Sequence, residues 1–289
     1  MIKYGVIDIG SNSVRLMISD GGNNVKKYVK STRLAEGMGT ANLLNINSVE
    51  RTVSAVSFFV DKAKSENVKD IYIFATAAVR NATNKSVFTD RIYQLENIKV
   101  DVVSGEKEAY LGRIGALGFG DGGIIDVGGA STEIGVVVNG DAVYSKSINI
   151  GAVKVTDECG QDMRLAKEYV RSKIKEFGNV PLQNFCGIGG TATSVGAMVL
   201  ELEPYDPQII DGYVLKISDL EIMVNKLYSL SVEERQKLKG LHPDRAKVIA
   251  NGSLILLEIY KYLGIKEIKI SERDNLEGYL TLKLGEKND

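Results

Sequence analysis

Two short stretches carry the residue types of a phosphate site. DIGSNSVRLMI begins at Asp8 and DVGGASTEIGV at Asp126, and Asp8, Gly10 and Ser13 recur at the same offsets as Asp126, Gly128 and Ser131. Glycine lets the backbone bend sharply and approach a ligand closely. Successive backbone N–H groups in such a turn form a concave nest for an anion. Ser11, Asn12, Ser13, Gly128, Gly129 and Ser131 would add hydroxyl, amide and N–H donors. An aspartate beside phosphate repels it unless a cation or an ordered water lies between them. Asp8, Asp126 and Glu133 are the acids nearest the loops. Asp126 and Glu133 are candidate magnesium ligands, direct or through water, because magnesium takes one or two carboxylates plus phosphate oxygens. Glu133 is also the repeat mate of Arg15, so the competing reading pairs it with a basic side chain across a cleft. Arginine offers a rigid fork of donors matched to phosphate. Arg15, and Arg80 after the small residues ATAA, are the candidates for substrate oxygens. A third glycine stretch, GIGGTATS, contains Gly190 and Thr191.

The elements that must hold these residues follow from hydrophobic patterning. Apolar runs on both sides of the first loop, the DGGNN turn signal and the run from Val25 predict three consecutive strands. The same order returns around the second loop, where NG at Asn139 marks a hairpin. A helical period over INSVERTVSAVSFFVDKAKSENV puts Val49, Val53, Val56, Phe59 and Val60 on one face, with Ser48 as candidate N-cap. DIYIFATAAVR reads as a strand entering a small-residue turn, and GEKEAYLGRIGALGF as a helix capped by Ser104. FCGIGGTATSVGAMVLEL reads as strand, glycine turn and helix. Two copies of one strand–loop–strand unit predict two similar lobes, each presenting its loop to a shared cleft. Strands mixed with helices make this an α/β protein.

Composition narrows the classes. The 289 residues are 44% hydrophobic and 25% charged, enough for a large core and two domains. A net charge of −1 leaves no global basic field, which argues against nucleic-acid or membrane partners. Cys159 and Cys186 are the only cysteines, and they suggest neither a disulfide framework nor a thiolate zinc site. With no signal-peptide pattern and no apolar run of 18 residues, a cytoplasmic protein is expected. His242, the single histidine, sits in a turn before a helix without a serine-elbow pattern and reads as structural. GIGGTA lacks the G-x-G-x-x-G spacing of a dinucleotide site.

The three glycine loops in this order resemble the sugar kinase–Hsp70–actin superfamily. Within it, DIGSNSVRLMI, ATAAVRNA, SGEKEAYL, DVGGASTE, GIGGTATS and RAKVIANGSLIL together resemble the exopolyphosphatase / guanosine pentaphosphate phosphohydrolase family, in its short two-domain form. The resemblance implies two actin-like (ribonuclease H-like) lobes with a cleft between them. The expected division is 1–118 and 119–278, with the C-terminal helix 279–289 as a candidate to complete the first lobe. The resemblance implies the two phosphate loops and a nucleoside-side loop holding Gly190 and Thr191. It also implies a catalytic glutamate directly before alanine, which here is Glu108. Taken alone, Glu108 is an ordinary residue of an amphipathic helix, and Glu106 beside it reads as solvated. The implied reaction is hydrolysis of a terminal phosphoanhydride with magnesium or another divalent cation, on inorganic polyphosphate or on guanosine pentaphosphate. A homodimer is left open. Alternatives are a kinase of the same fold, a non-catalytic alarmone sensor and a filament protein. The chain departs from the family pattern at Ala130, where a third glycine is usual, and at Leu276, where an arginine is common.

Overall fold

The computed structural model describes residues 2–22, 25–38, 41–118 and 120–286. Part of the DGGNN turn, Phe119 at the lobe boundary and residues 287–289 lie outside them. Two sheets carry the fold. The first contains β1 (Tyr4–Ile9), β2 (Ser13–Ser19) and β3 (Val25–Ser31), joined antiparallel, then β4 (Asp70–Ala75) and β5 (Val100–Val102) parallel to β1, in the order β3-β2-β1-β4-β5. The second repeats it. β6 (Gly122–Val127), β7 (Thr132–Val138) and β8 (Asp141–Ile148) are antiparallel; β9 (Phe185–Ile188) and β11 (Glu267–Ile270) continue in parallel, and β10 (Val214–Lys216) adds an antiparallel edge. The expected internal repeat is therefore a repeat of topology as well as of residues.

The central strands explain themselves. Val6, Ile7 and Ile9 of β1, and Ile124 and Ile125 of β6, are fully buried, since helices cover both faces of each sheet's middle. β3 and β8 are edges and carry lysines and serines instead. Asn139 and Gly140 both adopt positive φ, as the NG hairpin predicts.

The helices are α1 (Ile46–Ser65), α2 (Ala77–Asn81), α3 (Lys85–Glu96), α4 (Gly105–Leu117), α5 (Ala152–Cys159), α6 (Met163–Ile174), α7 (Gly189–Val199), α8 (Pro207–Ile210), α9 (Ile217–Ser229), α10 (Val232–Arg235), α11 (Ile249–Leu263) and α12 (Asn275–Gly285). Ser104 caps α4 through Lys107 N. Two local expectations change. Asn45, not Ser48, caps α1, and Ser48 is buried inside the first turn. The glycines of GIGGTATS form no separate turn, because α7 begins at Gly189 directly after β9.

Each lobe has its own apolar core. A third cluster joins α4 and α12 to the first sheet through Val6, Met17, Phe74, Leu111, Leu276 and Tyr279. The C-terminal helix begins at Asn275, four residues before the expected 279, and Tyr279 stacks on Phe74 at 4.5 Å. Helices α4 and α12 cross backbone to backbone. A Cβ on Gly278 would fall 1.9 Å from the carbonyl oxygen of Leu111, and one on Gly115 would fall 1.8 Å from that of Asp274. Among the described residues, no helix is long and apolar enough to cross a membrane.

Candidate active site

The two loops expected to hold phosphate meet between the lobes. Gly10 N donates to Ser13 O and Gly128 N to Ser131 O, each at 3.0 Å, so both copies close the same turn. The loop carbonyls are turned away and paired. Ser11 O and Asn12 O accept from Ala35, Thr32 and Arg33, and Gly128 O and Gly129 O accept from the first amides of α5. Among the described residues, the amides of Ser11, Asn12 and Gly129 donate to no protein acceptor. These are the free donors an anion nest needs. The loops touch: a Cβ on Gly129 would lie 2.8 Å from Ser11 Cβ.

The loops line a cavity of about 90 Å³ together with Asp8, Arg15, Thr76, Glu108, Asp126, Gly190, Thr191, Arg245 and Asn275. The N-terminus of α7 points into it. Its N-cap, Ile188, makes no side-chain capping bond, so the first amides of the helix remain as donors with the positive end of the dipole behind them. The Thr191 hydroxyl itself donates to Val127 O at 2.7 Å.

Glu108 is buried at the cavity wall. Arg80 Nη1 donates to its Oε2 at 2.7 Å and to Val103 O at 3.1 Å. Thr76 also hydrogen-bonds the Glu108 carboxylate. Burial pushes this carboxyl up, against the pull of Arg80. Arg80 is thus brought to Glu108 and is not part of the cavity lining. Arg15 lines the cavity, yet its guanidinium is occupied by Asp8, at 3.0 Å from Nε, and by Asp274 from the start of α12. Burial alone would lower Arg15, but these two carboxylates outweigh it and hold the cation firmly.

Asp126 and Glu133 are neighbours in the β6–β7 register. Burial, then Glu108 close by, pushes Asp126 up to about 8. Burial likewise drives Glu133 far above the usual carboxylate range, with Glu108 and Asp126 adding to it. Ser147 Oγ donates to Glu133 Oε1 at 2.6 Å, while the buried Oε2 has no partner. Among the described residues Glu133 forms no ion pair, so the competing basic partner is not there. It also stands behind the wall rather than in it.

Sequence reading missed Arg245, Thr76, Asp274 and Asn275. Arg245 reaches the cavity over Gly190, where a Cβ would fall 2.1 Å from Nη2. Among the described residues its side chain has no ion pair, and burial lowers its pKa because no carboxylate compensates the charge. The signal was present: Arg245 opens RAKVIANGSLIL. Ala130 and Leu276, the two departures, both pack into apolar clusters rather than into the cavity.

Residues 16–286 match the model of the Ppx/GppA phosphatase family. The chain belongs to that family. Among curated relatives of this Ppx/GppA protein, a bifunctional 3-dehydroquinate synthase/phosphatase of Fusobacterium nucleatum is 32% identical over 94% of this chain and 45% of its own. Exopolyphosphatase 2 of Mycobacterium tuberculosis is 28% identical over 96% and 97% of the two chains. A guanosine-5′-triphosphate,3′-diphosphate pyrophosphatase of Pseudoalteromonas translucida is 28% identical over 98% of this chain and 59% of its own. The chain therefore spans about half the length of two of these relatives and nearly all of the third. Among solved structures, the Aquifex aeolicus Ppx/GppA family member superposes with a TM-score of 0.79 at 26% identity over 100% and 99% of the chains. Its fold is the expected α/β architecture of two actin-like lobes.

Proposed function

We propose that this Ppx/GppA protein transfers the terminal phosphoryl group of a linear phosphoanhydride to water, with inorganic polyphosphate as the first-choice substrate and guanosine pentaphosphate as the second. One observation carries the reading: Glu108, clamped by Arg80, faces the same cavity as the two phosphate loops. Both substrates end in the same chemical group, and the names of the relatives include both activities. The cavity has room for roughly six to nine water-sized groups. That suits terminal phosphates, with the remainder of the substrate leading out through the mouth.

Phosphoryl transfer asks the protein mainly for positioning and charge stabilisation. The free amides of Ser11, Asn12 and Gly129, the α7 N-terminus and Arg245 bind the phosphate oxygens. Glu108 accepts a hydrogen bond from the attacking water and takes its proton as the bond to phosphorus forms. Arg80 and Thr76 fix the rotamer in which it does so. Arg15 is bound to Asp8 and Asp274, so it braces the floor and leaves oxygen contacts to Arg245. No covalent enzyme intermediate is involved.

The acids of the site fit a divalent cation. Asp126 lines the cavity with a carboxyl that readily exchanges its proton near neutrality, and Glu133 Oε2 is buried without a partner. Among the described residues no three acidic or soft side chains are placed to hold a metal ion together, so phosphate oxygens and waters would complete the shell, as magnesium prefers. Asp126, and Glu133 behind it, would hold the ion. When bound it would neutralise charge on the phosphate oxygens. The test is phosphate release from long-chain polyphosphate and from guanosine pentaphosphate with magnesium. No release from either substrate despite tight binding would sink the reading in favour of a sensor.

A further inference from the structure

Arg235 is among the largest fully buried side chains, at 1% exposure, and among the described residues it has no carboxylate partner. Burying an unpaired charge is costly unless hydrogen bonds satisfy it. Here they are all to uncharged groups. Nε donates to Leu227 O at 2.6 Å, and Nη1 donates to Gln161 Oε1 and to Ala246 O at 3.4 Å. Gln161 Nε2 in turn donates to Lys247 O at 3.1 Å. The two carbonyls gripped this way belong to the two residues that follow Arg245. Arg245 itself sits in a single 3-10 turn, Pro243–Arg245, between α10 and α11. So short a turn has little rigidity of its own.

The other end of the grip is also anchored. Asn251, buried on α11, donates to Gly160 O at 2.9 Å and to Thr156 Oγ1 at 3.0 Å, and Tyr228 donates to Asn251 Oδ1 at 2.6 Å. This fixes the C-terminal end of α5, next to Gln161. The N-terminal end of α5 holds the carbonyls of Gly128 and Gly129 in the second phosphate loop. One continuous set of hydrogen bonds thus runs from that loop, along α5, through Gln161 and Arg235, to the turn carrying Arg245.

We propose that Arg235 and Gln161 are positioning residues that set the guanidinium of Arg245 in register with the second phosphate loop. This rests on the reading of the cavity as a phosphate site. A buried arginine suits the task because its planar fork satisfies three acceptors on three different segments, which a lysine cannot do.

The test is a double-mutant cycle with Gln161→Ala and Arg245→Ala, since Gln161 is exposed and its truncation spares the core. Two quantities are measured: the Kd for orthophosphate by calorimetry and the steady-state constants on polyphosphate. Gln161→Ala is expected to weaken orthophosphate and raise KM about fivefold, with kcat within about twofold. In the Arg245→Ala background it should do nothing more. Arg235→Lys should act in the same direction as Gln161→Ala. An unchanged Kd in Gln161→Ala, or an equal loss in both backgrounds, would overturn the proposal. A wild type that binds orthophosphate but hydrolyses nothing would defeat the hydrolase reading while the cycle in Kd still decides this one. A wild type that binds no orthophosphate overturns both.

Discussion

Asp126 and Glu133 face each other across β6 and β7 at the place where Asp8 and Arg15 face each other across β1 and β2. The repeat keeps the position and changes the charge. In the first lobe the pair is an ion pair, extended by Asp274; in the second it is two carboxyls with a third, Glu108, near enough to raise both. In one copy each carboxylate has the Arg15 cation as its partner, and the other copy is left to take up protons or a cation.

That difference gives stability a pH dependence. A carboxyl whose pKa is raised on folding binds its proton more tightly in the folded state. Its stabilising share is complete below the unfolded value of 3.8 and is lost as pH climbs through about 8. In divalent-free buffer, urea-melt stability is therefore expected to decline between about pH 5 and about pH 9. Each tenfold gain in proton affinity on folding corresponds to about 1.4 kcal/mol. Asp126→Asn should gain at least about 1 kcal/mol over wild type at about pH 9 and nothing below about pH 4. A variant parallel to wild type at every pH would refute the assignment.

Magnesium should act against the same background. Binding requires the deprotonated carboxylates, and a ligand that binds only the folded state stabilises it. The rise in Tm on adding magnesium should be larger at about pH 8.5 than at about pH 6, and Asp126→Asn should reduce it. Equal rises at both pH values, or none, would argue for a site that works without the ion.

Glu108 and Arg80 should fail in the same way. Glu108→Gln keeps the shape and removes the proposed base, so kcat is expected to fall about 10²–10⁴-fold with KM little changed. Arg80 touches Glu108 and not the cavity. Arg80→Met should therefore lower kcat by about tenfold or more and leave KM within about twofold. A KM effect instead would return Arg80 to direct phosphate contact, as its sequence context suggested.

What the sequence could not convey follows from chain distance. The loops of Ser11–Ser13 and Gly128–Ser131 were legible because each is a local turn between two apolar runs. Glu108 was legible only through its resemblance to a family signature. Arg245 and Asn275 reach the cavity, and Asp274 reaches Arg15, from the far end of the chain, brought there by β9, β11 and the crossing of α4 with α12, which no local period encodes. The N-cap of α1 is Asn45, whose side chain accepts from Asn47 N; the expected start came later because Ile46, 60% exposed, lies outside the apolar period that set it. Leu276 stands where the family pattern commonly has an arginine, and its fully buried side chain belongs to the core under α12.

The α4–α12 crossing offers a last test, in which one helix carries its own control. A methyl on Gly278 would sit 1.9 Å from a backbone oxygen, where no side-chain rotation relieves it, and the same holds for Gly115 at 1.8 Å. Gly115→Ala and Gly278→Ala must push the helices apart, and each is expected to cost about 3 kcal/mol in urea unfolding. Gly285 lies on the same helix with nothing within 4 Å of its added Cβ. There, at the last residue of α12, alanine should leave stability within about 0.5 kcal/mol of wild type. Because Glu108 rides on α4 and Asp274 starts α12, separation should also lower kcat in the crossing variants and not in Gly285→Ala. Similar small effects at all three positions would mean that the helices do not cross this closely.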